Sequence, residues 1–155
     1  MSRAVVIGVG SPFGADRLGW DTVSVLEAHG LSAGGEGAIR LCRLDRPGSG
    51  LLAAVAGADL AVIVDAVRTG AAPGTLHRFP DPTALPAGAP VSSHGFGLGE
   101  ALGLGAALGE LPPRVVVLGA EAEPGQNLPA DTLSRLAGAV RAELRTYLGD
   151  AALSD

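Results

Sequence analysis

Three side chains in this sequence could act together: Asp16, Asp65 and His94. One imidazole and two carboxylates suit a borderline divalent metal such as zinc or nickel, and they leave coordination positions open for substrate or water. Taken singly, each has a plainer reading. Asp65 follows the apolar run 60–64, where an ionised carboxylate is costly unless it is paired, hydrogen-bonded or metal-bound. It could equally cap the next turn or accept from nearby backbone N–H groups. Asp16 could cap a helix that begins near Leu18. His94 follows two serines and precedes a helix, a place where exposed histidines are common, although neutral imidazole is also the commonest nitrogen ligand for metals. His29, at the far end of a predicted helix, and His77, in a predicted strand with no assigned face, are weaker candidates.

Two other chemistries have fragments of a motif and lack the rest. Gly8 and Gly10 begin a dinucleotide-type G-x-G-x-x-G, but position 13 is Phe13. A serine triad would have to draw on Ser11, Ser92 or Ser93, and no G-x-S-x-G elbow is present.

The elements that must position these residues follow from periodicity. Residues 4–8 form a short apolar, largely β-branched run ending in Gly8-Val9-Gly10-Ser11-Pro12, which predicts a buried strand and a turn. Helical spacing follows from Leu18 to about Gly30. Residues 38–44 alternate as a half-buried strand does, 51–56 suit a short helix, and 60–64 (LAVIV) is uniformly apolar, as expected when helices cover both faces of a parallel sheet. A turn at Pro73-Gly74 leads into a strand over 75–79, and a Pro-, Ala- and Gly-rich loop spans 80–90. A Gly-rich helix over 96–108 is expected to be core, held by close packing because its glycines weaken its propensity. A buried strand at 115–118 and a helix over 128–148 complete the order βαβαββαβα. This predicts an α/β fold, a three-layer αβα sandwich around a mainly parallel, twisted sheet, in one domain spanning 1–155. In such sheets the working residues gather beyond the carboxyl ends of the strands, and the three candidates fall on segments that reach that edge.

Composition narrows the partners. At 155 residues one domain hides roughly 70% of its unfolded surface. With three Phe, one Tyr and one Trp, its core must be built from Ala, Val and Leu. A formal charge of -5 with no basic run argues against nucleic acid and anionic membrane as partners. Cys42, the sole cysteine, rules out an internal disulfide and fits a reducing compartment. The apolar start is shorter than a signal-peptide core, and the longest apolar stretch, 51–67, is broken by Asp59 and Asp65. A cytoplasmic location is therefore expected.

The sequence also resembles a known family. GVGSPFGADRLGW (8–20), VDAVRTGAAPGTLHRF (64–79), SSHGFGLGEAL (92–102) and PPRVVVLGAEAE (112–123) look, in order, like the motifs of the hydrogenase maturation endopeptidases, which trim the C-terminus of the large subunit of nickel-iron hydrogenases. The resemblance implies metal ligands at Asp16, Asp65 and His94, a hydrolase, and a folded large-subunit precursor that itself carries the nickel. Zinc or another divalent ion could stand in for nickel. Ser11 stands where the family usually has Asn, and Ala15 replaces the first of a common acidic pair. Ala15 keeps open a second reading, a nickel-dependent checkpoint protein that binds the precursor without cutting it. A nucleotide-binding α/β protein is the third.

Overall fold

The computed structural model describes residues 4–10, 17–31, 39–45, 48–81, 98–123 and 127–149. Among these residues nine elements run in the predicted order: β1 (Ala4–Val9), α1 (Leu18–Ala28), β2 (Ile39–Leu44), α2 (Gly48–Val55), β3 (Leu60–Val67), β4 (Leu76–Phe79), α3 (Leu98–Leu108), β5 (Arg114–Glu121) and α4 (Thr132–Leu148). The sheet order is β2-β1-β3-β5-β4. The first four strands in that order are parallel, and β4 joins the β5 edge antiparallel. The expected α/β architecture with a mainly parallel sheet is the one observed.

Side-chain alternation along the strands sorts the core into two layers. Val6, Val62, Val64, Val116 and Leu118 pack against α1 and α4, with Leu26, Leu136, Val140 and Leu144 closing that side. Val5, Ile7, Ala61, Ile63, Val115 and Val117 face α2 and α3, where Leu51, Leu98 and Leu102 meet them. Every residue of β1 and β3 is buried, which is why both read as unbroken apolar runs.

The two helical layers differ in character. α4 carries its apolar residues on one stripe and presents Arg and Glu outward. α3 buries Leu98, Ala101, Leu102 and Gly105 but leaves Leu104 and Leu108 about half exposed. The expectation that this helix is core therefore holds for one face only. No helix among the described residues is long and apolar enough to cross a membrane.

Several boundaries move from their sequence positions. β3 continues through Asp65 to Val67, because β5 continues to Glu121 and supplies ladder partners: Asp65 opposite Gly119, Ala66 opposite Ala120, Val67 opposite Glu121. Asp65 is therefore an in-strand residue rather than the first residue beyond a strand. α4 starts at Thr132, after Leu128-Pro129, instead of at Leu128. α1 stops at Ala28, where Gly30, at φ +78°, takes the left-handed conformation that ends a helix cheaply.

Candidate active site at the carboxyl edge of the sheet

The strand order reverses between β1 and β3. From β1 the chain crosses through α1 to β2 on one side, then returns through α2 to β3 on the other. In open α/β sheets such a switch point is where ligands bind, beyond the carboxyl ends of the strands. Asp65 lies on β3 at this edge, 4% exposed, with its Oδ1 accepting the Ala66 N–H at 2.8 Å. By alternation its side chain shares the face of Ala61 and Ile63, the α2 and α3 side.

Two close packings seat α1 against this edge. A Cβ on Gly8 would lie 2.3 Å from the Gly19 carbonyl oxygen. A Cβ on Gly19 would lie 2.4 Å from the Val9 oxygen and 2.6 Å from the Val64 oxygen. Only glycine at both positions lets the first turn of α1 rest on the backbone of β1 and β3, beside the peptide that joins Val64 to Asp65. The Leu44 carbonyl then accepts from Gly10 N and from Trp20 Nε1, both at 3.0 Å. Both flanks of segment 11–16 are thereby held to the end of β2.

Asp16 and His94 lie outside the described residues. Asp16 is three residues before Gly19 in sequence, and His94 is four before Leu98, the fully buried first residue of α3. Asp65 is the member of the predicted trio whose surroundings are described, and among the described residues no three His, Cys, Asp or Glu side chains come together as a metal-holding group. His29 caps the far end of α1, at the amino edge of the sheet, away from Asp65. Ser11, Ser92 and Ser93 are also outside the described residues, and no Ser/His/Asp triad forms within them.

Sequence reasoning left one charged group unassigned. Glu121, at the end of β5, is 1% exposed and fully hydrogen-bonded. Its Oε2 accepts the Thr69 N–H at 2.7 Å and the Gly70 N–H at 2.9 Å, while Oε1 accepts the Thr69 hydroxyl at 2.7 Å and meets His77 Nε2 at 2.9 Å. Its backbone joins in, since Gly74 N donates to its carbonyl and its own N–H donates to the Thr75 carbonyl. Burial pushes the carboxyl up, but the Thr69 hydroxyl, the Thr69 and Gly70 amides and the His77 ring outweigh it and hold the pKa down at about 2. Glu121 thus sits ionised and clamps the connection that leaves β3 shortly after Asp65.

Alternation puts His77 and Phe79 of β4 on the α2 and α3 side, their rings stacked with centroids 6.3 Å apart. Arg78 points the other way and ion-pairs with Glu143 of α4. Arg135 of α4 donates to the Gly74 carbonyl at 3.0 Å, securing the turn before β4 from the opposite face.

Chemically, the edge offers a carboxylate oxygen donor in a buried strand and, two strands across the sheet, a fixed carboxylate–imidazole pair. A buried carboxylate on the switch-point strand is the donor type that a divalent metal or a metal-bearing substrate would require.

Comparison with known proteins bears on the family and the fold. The family profile described as HycI, hydrogenase maturation protease, matches residues 47–147. No curated protein matches the chain. Among solved structures, the chain is similar to the hydrogenase maturating endopeptidase HybD from E. coli, with 25% identity, 93% of each chain covered and a TM-score of 0.69. It is similar to an endopeptidase from Escherichia coli solved in solution, with 24% identity, 93% of each chain covered and a TM-score of 0.74. A NiFe hydrogenase maturation protease, HycI from Thermococcus kodakarensis, aligns with 21% identity over 96% of this chain and 92% of its own, at a TM-score of 0.61. The last two likenesses show the shared fold.

Proposed function

We propose that this protein, which belongs to the hydrogenase maturation protease family, removes the C-terminal extension of a nickel-iron hydrogenase large-subunit precursor only after that precursor has received its nickel. Family membership carries the coarser statement, an endopeptidase acting in hydrogenase maturation. Recognition of nickel, and the residues that perform it, are the further step proposed here.

The observation that supports it is the placement of Asp65, a buried carboxylate on the switch-point strand, with the start of α1 packed against the Val64 carbonyl beside it. In this reading Asp65 supplies one oxygen ligand, Asp16 a second from the segment ahead of α1, and His94 a nitrogen from the segment ahead of α3. The nickel arrives as part of the substrate, where it supplies Lewis acidity toward the scissile carbonyl or the attacking water. The protein's own contribution is to hold Asp65 within β3, where it is laddered to Gly119 of β5 one residue beyond the last rung to β1, and to exclude water with the fully buried strands beneath it. Zinc or another divalent ion on the same donors would be a substitute.

The test is a processing assay with nickel-loaded precursor and a nickel-free control, the products being weighed by mass spectrometry. Trimming of the loaded form alone is the expected result. Equal trimming of both would overturn the nickel check. Saturable binding with no shortened product would establish instead the checkpoint reading, which rests on Ala15 standing where the resemblance implies the first of an acidic pair.

A further inference from the structure

The pair formed by Glu121 and His77 has no part in the chemistry assigned to Asp16, Asp65 and His94, yet the Glu121 carboxylate meets two backbone amides, a hydroxyl and the His77 ring. Its donor directions can be worked out. Ala71 N donates to Thr69 Oγ1 at 3.3 Å, so the Thr69 hydroxyl hydrogen is available for Glu121 Oε1. Two backbone amides can only donate, and both point at Oε2. An ionised carboxylate only accepts. His77 must therefore contribute its Nε2–H, and in the neutral ring the lone pair then falls on Nδ1.

Position decides what that lone pair can serve. Asp65 and His77 are both ladder partners of Gly119, one on β3 and one on β4. Their Cα atoms thus stand two strand spacings apart, roughly 10 Å at about 4.8 Å each. Direct proton transfer needs heavy atoms at about 3 Å, so His77 is too far across the sheet to be the base for a reaction centred on Asp65. Ten ångströms is about three residues of extended polypeptide at roughly 3.3 Å per residue. The floor between them is apolar: Val67, fully buried, leans over Gly119, where a Cβ would meet Val67 Cγ2 at 2.4 Å. The imidazole side chain is 19% exposed and locked by Glu121 on one side and the Phe79 ring on the other.

We propose that His77 is a substrate-binding residue, a fixed Nδ1 acceptor for a backbone N–H of the precursor about three residues from the bond that is cut, and that Glu121 is the positioning residue that sets its tautomer. This rests on the proposed cleavage for its kinetic readout, but not for its spectroscopic one. In Glu121→Gln the side-chain oxygen must take the position facing the Thr69 and Gly70 amides, which leaves the NH2 facing His77 Nε2. The ring proton then moves to Nδ1, and the acceptor becomes a donor.

The experiment has two arms on the full chain. Long-range 15N–1H correlation of the imidazole, at a pH where the ring is neutral, should show Nε2–H in the wild type and Nδ1–H in Glu121→Gln. An Nδ1–H wild type overturns the proposal. In the processing assay, loss of one such hydrogen bond should raise KM about tenfold with kcat unchanged for His77→Ala and for Glu121→Gln. His77→Asn, whose Oδ1 occupies the Nδ1 position, should stay within about threefold of wild type. A fall in kcat at constant KM, or no change in either, overturns it, and the two His77 variants decide the matter if Glu121→Gln does not fold. If the wild type cuts no precursor, the proposed function has failed. The Kd of the same precursor then carries the comparison, with about tenfold weakening in His77→Ala expected and equal affinity overturning the subsite.

Discussion

Replacing Gly19 with alanine should damage both stability and processing, and the structure says by how much. The new Cβ would stand 2.4 Å from the Val9 oxygen, 2.6 Å from the Val64 oxygen and 2.7 Å from the Val9 nitrogen. All three are backbone atoms of central strands that are paired on both sides. None can swing aside as a side chain could, so α1 itself must lift by about 1 Å to reach ordinary contact near 3.4 Å. Alanine should gain up to about 1 kcal/mol in helix propensity over glycine. Overpacking against rigid backbone costs about 1–3 kcal/mol, and here its upper end applies. The net loss is about 2 kcal/mol, which at a urea dependence of roughly 2 kcal/mol per molar lowers the unfolding midpoint by about 1 M. The functional loss should be larger than the stability loss, because a displacement of about 1 Å at a reacting centre can cost on the order of a hundredfold in rate. Urea titration followed by circular dichroism and a processing time course on the folded variant measure the two separately. Wild-type stability and rate together would refute the close-packing account of how α1 is seated on the switch point.

Gly138→Ala is the contrasting case, since a Cβ there meets nothing within 4 Å on α4; it should stabilise by about 0.5–1 kcal/mol, read as a higher urea midpoint. Asp65→Asn keeps an oxygen for the Ala66 N–H but loses the charge, so processing should fall at least a hundredfold while the circular dichroism spectrum is unchanged; undiminished trimming would refute the ligand role. Glu121 has a folded pKa of about 2 against an ordinary value of 4.5, a depressed carboxylate, so its contribution is complete above about pH 4.5 and is lost as pH falls through 2. The size is on the order of 3 kcal/mol, and Glu121→Gln should flatten the acid limb of stability between those two pH values, which urea titrations at stepped pH would show.

The element order was legible because apolar runs and glycine or proline breaks are local signals. Residues 60–64 and 115–118 read correctly as buried strands, and the Pro73-Gly74 turn and the strand after it stand where the spacing put them. What local patterns could not supply was pairing. Asp65 read as lying just past its strand, since nothing near it in sequence announces that Gly119 to Glu121 will extend the ladder alongside. His77 had no assigned face for the same reason, because the antiparallel addition of β4 to β5 sets it. Glu121 had a usable signal: it is an acid closing an apolar strand, the same pattern that singled out Asp65. The exposed half of α3 was hidden by composition, since alanine, glycine and leucine occupy both its faces and periodicity has little contrast to read.

The ladder between β1 and β3 joins Ala4 to Leu60 and Gly8 to Val64, strands separated by an entire α-β-α excursion. Parallel contacts across so long a loop form slowly, after local helices and turns are in place. The seam where that ladder closes is the same one that brings the start of α1 against the Val64 carbonyl. A nascent or partly unfolded copy therefore has Asp65 on one piece of chain and the start of α1 that packs beside it on another. Under the proposed function, cutting would then wait on completion of the enzyme's own sheet, much as the precursor would wait on its metal.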